Sequence, residues 1–172
     1  CLFVRMIAMD FREIIRRTTL SAAGEFFMYC AAVPEDKLDW QPAEGTRSVR
    51  ELMREVAWCP KWAADIVSGK PFEWSEEIQV QMKETESHWV TVEDCERVFR
   101  DHFAEFDAVL ESFPAEKLAQ EMPLPFDTGG KIYKGLDNLE YPHWNIVYHL
   151  GQVAYIQKMY GDHKMYWAEP MV

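Results

Sequence analysis

The sequence predicts an all-α fold, a four-helix bundle joined by long crossover loops. Three observations predict it. Apolar residues recur at spacings of three and four through four separate stretches; Asp10, Ser48 and Thr91 stand where helix caps belong; and Pro34, Gly69, Pro114 and Gly161 close the stretches. A chain of 172 residues can bury one sizeable core in this form.

From Asp10 the apolar positions Phe11, Ile14, Ile15, Thr18, Ala22, Phe26 and Tyr29 define the first helix, expected to end near Ala31–Val33 before Pro34. A loop with Trp40, Pro42 and Gly45 follows. Ser48-x-x-Glu51 is a capping box for the second helix, whose stripe runs Val49, Leu52, Met53, Val56, Cys59, Ala63, Ile66 and Val67, with a kink expected at Pro60. Residues 69–90 lack a sustained period and read as a connection with at most a short helix near Glu76–Met82. Thr91-x-x-Asp94 opens the third helix, with Val92, Cys95, Phe99, His102, Phe103, Phe106, Val109 and Leu110 on one face. Between residues 123 and 135 the glycines Gly129 and Gly130 suggest a small hairpin. The fourth helix is expected from about Pro142 to Tyr160, with Gly161 as its C′ residue.

Two segments echo each other. Val33-Pro34-Glu35-Asp36-Lys37-Leu38 follows the first helix and Phe113-Pro114-Ala115-Glu116-Lys117-Leu118 the third, both apolar-Pro-x-acid-Lys-Leu. A pseudo-twofold bundle would make the second and fourth helices equivalent, and would bring Glu55 opposite His149.

Composition excludes some classes. Eighteen Lys and Arg against 29 Asp and Glu give a net charge of −11, which opposes nucleic acid or an anionic membrane surface as partner. No apolar run approaches the roughly 20 residues of a bilayer span. The cysteines Cys1, Cys30, Cys59 and Cys95 have no C-x-x-C spacing, so they read as buried thiols in a reducing, cytoplasmic setting. Met9-Asp10 makes a better start than Cys1, so residues 1–8 are expected to be upstream or appended sequence, and 9–172 one bundle domain.

The chemistry concentrates in Trp144–Gln152. Asn145, His149 and Gln152 share a helix face with Ile146, Leu150 and Val153, and polar groups on an apolar stripe need partners. Trp58, Cys59 and Tyr148 are placed to wall a pocket beside Glu55 and His149. His143 reads as solvated and His102 as a core histidine with a backbone partner. Neither a nucleophile elbow nor a phosphate loop is present.

Pro34-x-x-x-Leu38-x-Trp40-x-Pro42-x-x-Gly45-x-x-Ser48-Val49-Arg50-Glu51-Leu52, together with His149-x-Gly151-Gln152, resembles the DinB/YfiT-like superfamily of four-helix bundles. That resemblance implies a metal site of three histidines, which fall on Glu55, Asn145 and His149 here; only the third is retained. It implies a metal-dependent transferase or hydrolase acting with a low-molecular-weight thiol or water, a homodimer, and an unidentified small-molecule substrate. With Glu, Asn and His in place of three His, the site is degenerate. One alternative keeps a divalent ion (manganese, iron, nickel or zinc). The other is a metal-free cluster in which Glu55 accepts from His149 and Asn145, raising the His149 pKa, in a small-ligand-binding or structural bundle without catalysis.

Overall fold

The structure, a computed structural model, describes residues 10–70, 75–124 and 128–171. Among them are five helices: α1 (Phe11–Ala31), α2 (Val49–Val67), α3 (Glu76–Glu86), α4 (Val92–Ser112) and α5 (Gly135–Met159). The bundle consists of α1, α2, α4 and α5, with α2 packed on both α4 and α5, and α1 on α5. The short α3 buries no side chain and lies in the second crossover. No described helix is long and apolar enough to cross a membrane.

Local chemistry sets the helix starts. Asp10 accepts from the Arg12 N–H at 3.1 Å. Ser48 and Glu51 exchange both bonds of a capping box, as do Thr91 and Asp94, closing donors that a helix N-terminus leaves orphaned. The ends fall as expected: α1 at Ala31, α2 at Val67 ahead of Gly69 at φ 68°, and α4 at Ser112, where Phe113 turns extended before Pro114. Pro60 lies inside α2, which continues past it to Val67.

The six-residue echo is a structural repeat. Each copy folds as a one-turn 3-10 helix after its proline, Glu35–Lys37 and Ala115–Lys117. The bonding matches step by step: Lys37 N–H donates to the Pro34 carbonyl at 2.8 Å and Lys117 N–H to that of Pro114 at 3.0 Å. Arg50 N–H reaches the Leu38 carbonyl and Leu136 N–H that of Leu118, both at 3.0 Å, so each repeat fixes the first turn of the helix after it.

Three expectations are corrected. The last helix begins at Gly135 rather than Pro142. Asp137 accepts from the Lys134 N–H at 2.8 Å, and the repeat captures the next turn, so the helix forms despite Pro142 in its interior. The hairpin is reduced to one antiparallel bridge, Glu121 with Lys134, and a turn at Gly129 and Gly130; Phe126 and Asp127 fall outside the described residues. On α1 the buried face is Ile15, Thr19, Ala22, Ala23, Phe26, Phe27 and Cys30, rotated from the predicted stripe, and Ile14 is exposed.

Candidate functional site

Glu55 projects from the middle of α2 toward α5, where Asn145 and His149 stand one turn apart. His149 Nε2 lies 3.0 Å from Glu55 Oε1. Asn145 Nδ2 donates to the same oxygen at 3.2 Å and to the Tyr141 hydroxyl at 3.4 Å. His149 Nδ1 is 2.6 Å from the Gln152 side-chain oxygen. The other Glu55 oxygen pairs with the Arg47 guanidinium, which reaches in from the loop ahead of α2. Asn145 and His149 are 3 % exposed. The Glu55 side chain is 23 % and that of Arg47 55 % exposed, so the cation seals the centre from the solvent side.

Burial pushes the His149 pKa below its usual 6.5; the Gln152 bond pulls it up, and the positive charge of Arg47 pushes it down again. The expected rise is therefore reversed: desolvation is the largest cause, and the Arg47 charge adds to it. A neutral imidazole carries one ring proton, and 3.0 Å from a carboxylate oxygen that proton belongs on Nε2. As placed, with its oxygen toward Nδ1, Gln152 would hold a second ring proton; exchanging its amide oxygen and nitrogen makes it a donor to Nδ1 and removes the one cause that raises the His149 pKa. Glu55 thus accepts from three groups. Asn145 Oδ1 remains a buried acceptor without a partner among the described residues.

These groups form the floor of a cleft of about 930 Å³ whose walls include Trp144, Tyr148, Gln152, Tyr155 and Met159. The cleft is within the size range of small-molecule sites. Two predicted wall residues are elsewhere. Trp58 points to α4, stacks on His102 at 4.9 Å and donates its indole N–H to Glu86 at 2.9 Å. Cys59 is fully buried, its thiol 3.9 Å from the Pro142 carbonyl, and burial raises its pKa well above that of a free thiol. His102 has the expected backbone partner, the Ala57 carbonyl at 2.8 Å from Nδ1, whereas His143 is half-buried rather than solvated. Arg47 and Tyr141 are the functional neighbours the sequence did not disclose. Tyr141 stands one turn before Asn145, a spacing that could have found it; Arg47 lies in a loop with no period to follow.

The donor set fits a divalent ion poorly. It offers one imidazole, one carboxylate already paired with a guanidinium, and one neutral amide; three imidazoles would suit such an ion far better. Among the described residues no group of three or more His, Cys, Asp or Glu could hold a metal.

A family model described as the DinB superfamily matches residues 19–153. Among solved structures, YjoA, a DinB-like protein from Bacillus subtilis, is 16 % identical and aligns over 92 % of this chain and 99 % of its own, with a TM-score of 0.59. A conserved protein from Enterococcus faecalis is also 16 % identical, over 88 % of this chain and 98 % of its own, with a TM-score of 0.64. At such identity the likeness establishes the fold. No curated protein matches at a significant level.

Proposed function

The chain belongs to the DinB superfamily, and from that premise we propose that it is a metal-independent small-ligand-binding member, with Arg47 supplying the positive charge at its polar centre. The observation that carries the proposal is the Arg47–Glu55 pair, which leaves His149 and Asn145 to complete the carboxylate's hydrogen bonds. The cleft above offers aromatic walls and a half-exposed guanidinium. A small molecule with a flat apolar body and an acceptor or anionic group facing Arg47 suits those features. No catalytic step is assigned to the centre, because His149 is buried and both its ring nitrogens are engaged.

A second proposal, a metal-dependent transferase or hydrolase, is favoured by the unpartnered Asn145 Oδ1. Glu55, Asn145 and His149 would be the ligands, and a low-molecular-weight thiol or water the group whose pKa the ion lowers. Metal analysis separates the two. Untagged protein purified without chelator is incubated with manganese, zinc and nickel, dialysed, and assayed by inductively coupled plasma mass spectrometry. The metal-independent proposal expects no retained ion. About one ion per chain, lost in Glu55→Ala, would replace it with the second.

A further inference from the structure

A second cleft, of about 660 Å³, adjoins the first and shares Arg47, Glu55, Tyr141 and Trp144 with it. It follows α2 from Glu55 toward the C-terminal end, where Trp62 and Ile66 line it, and α5 toward the N-terminal end. The two clefts differ in charge. Beyond the shared Arg47–Glu55 pair the first is walled by uncharged side chains, whereas the second adds Lys131, Asp137 and Glu140. All three are exposed and so form its rim, and none has an ion-pair partner among the described residues. Asp137 and Glu140 stand three residues apart on α5, neighbours on one helix face, where like charges repel. Asp137 accepts from the Lys134 N–H at 2.8 Å, which fixes its carboxylate in place. Lys131 is held apart from both, its ammonium over the Tyr133 ring at 4.3 Å from the centroid.

We infer that this second cleft binds a free α-amino acid with a large apolar side chain, as the zwitterion. Its ammonium lies at Asp137 and Glu140 and relieves their repulsion, its carboxylate takes the Lys131 ammonium, and its side chain rests on Trp62 and Ile66. A simple anion would meet the two carboxylates unpaired, and a simple cation would meet Lys131. A ligand carrying both charges on one carbon, above an apolar floor, matches the rim where a singly charged one does not. Two carboxylates beside an ammonium are a poor seat for a divalent ion. The cleft is within the size range of small-molecule sites. Because the rim charges are exposed and screened, the apolar floor supplies most of the affinity and the charges set the selectivity. The inference stands whatever the centre over Glu55 holds, since Trp62, Lys131 and Glu140 do not line the first cleft.

The test is NMR titration of the ¹⁵N-labelled whole chain with L-phenylalanine, phenethylamine and 3-phenylpropanoate, which share a phenyl group and differ in the charges they carry. Phenylalanine should shift the Trp62 indole resonance saturably and bind about five-fold more tightly than either singly charged analogue. Lys131→Met should erase its advantage over phenethylamine, and Glu140→Gln should reduce its advantage over 3-phenylpropanoate. Each variant should leave the other comparison unchanged, a crossed pattern that a loss of folding cannot produce. Both positions are exposed, and circular dichroism confirms that the variants keep their helices. Equal binding of all the probes, no saturable shift of Trp62, variants that leave both comparisons unchanged, or shifts confined to the Gly151 amide in the first cleft would each overturn the inference.

Discussion

Replacing Glu55 with Ala removes the acceptor on which the polar centre converges. The buried His149 Nε2–H and one Asn145 Nδ2–H lose their partner. Each orphaned buried donor costs roughly 1–1.5 kcal/mol, whereas Arg47, more than half exposed, recovers its loss in water. The sum is about 2–3 kcal/mol. Glu55→Gln keeps an oxygen but not the charge, and should cost about 1 kcal/mol. Equilibrium urea unfolding reads both as a lowered midpoint at unchanged slope, and the larger loss should lower Tm by roughly 5–10 °C. The reasoning would be refuted if Glu55→Ala were as stable as wild type or more so. That result is expected of a carboxylate awaiting an absent cation, whose removal relieves repulsion or desolvation.

The depressed His149 pKa sets a pH dependence of definite sign. Between its folded value and the ordinary 6.5 the unfolded chain binds more protons, so this residue's contribution is complete above 6.5 and is lost as pH falls. Stability measured from pH 7.5 to 5 should decline, and the decline should be shallower in His149→Gln; an unchanged slope would contradict it. Gly135→Ala would push a Cβ to 2.4 Å from the Lys117 carbonyl and 3.0 Å from the Phe113 ring, so it should destabilise by about 2 kcal/mol or more in the same unfolding assay. Cys30, Cys59 and Cys95 are buried, with pKa values raised by desolvation, the last to about 12. Native protein should therefore react with a thiol reagent at these positions only at the rate of unfolding, and rapid modification of Cys59 would place it in the cleft after all.

Much of the bundle was legible because its signals are local. Ser48 with Glu51 and Thr91 with Asp94 each carry a helix start within four residues, and the two Pro-x-acid-Lys-Leu segments exposed a repeat that the backbone bonds reproduce. The start of α5 was not legible. It depends on Gly135 N–H reaching the Gln120 carbonyl and Leu136 N–H that of Leu118, contacts that Pro142 masks when the sequence is read locally. The centre was half legible. Spacing put Asn145 and His149 on one face, and the repeat supplied Glu55 as their partner. Periodicity could not say which neighbour each side of α2 meets, so Trp58 was assigned to the wrong flank. The direction of the His149 shift came out reversed because burial is its largest cause, a depth that spacing does not give, and Arg47, reaching in from an aperiodic loop, adds to the lowering.

The most direct measurement is long-range proton–nitrogen NMR of the His149 ring in ¹⁵N-labelled protein at neutral pH, before and after zinc is added. A neutral ring protonated at Nε2 and unmoved by zinc is the result expected of a centre whose carboxylate is satisfied by Arg47, Asn145 and His149. A ring protonated at Nδ1, whose Nε2 resonance shifts when zinc is added, would show a free metal-ligating nitrogen and contradict it.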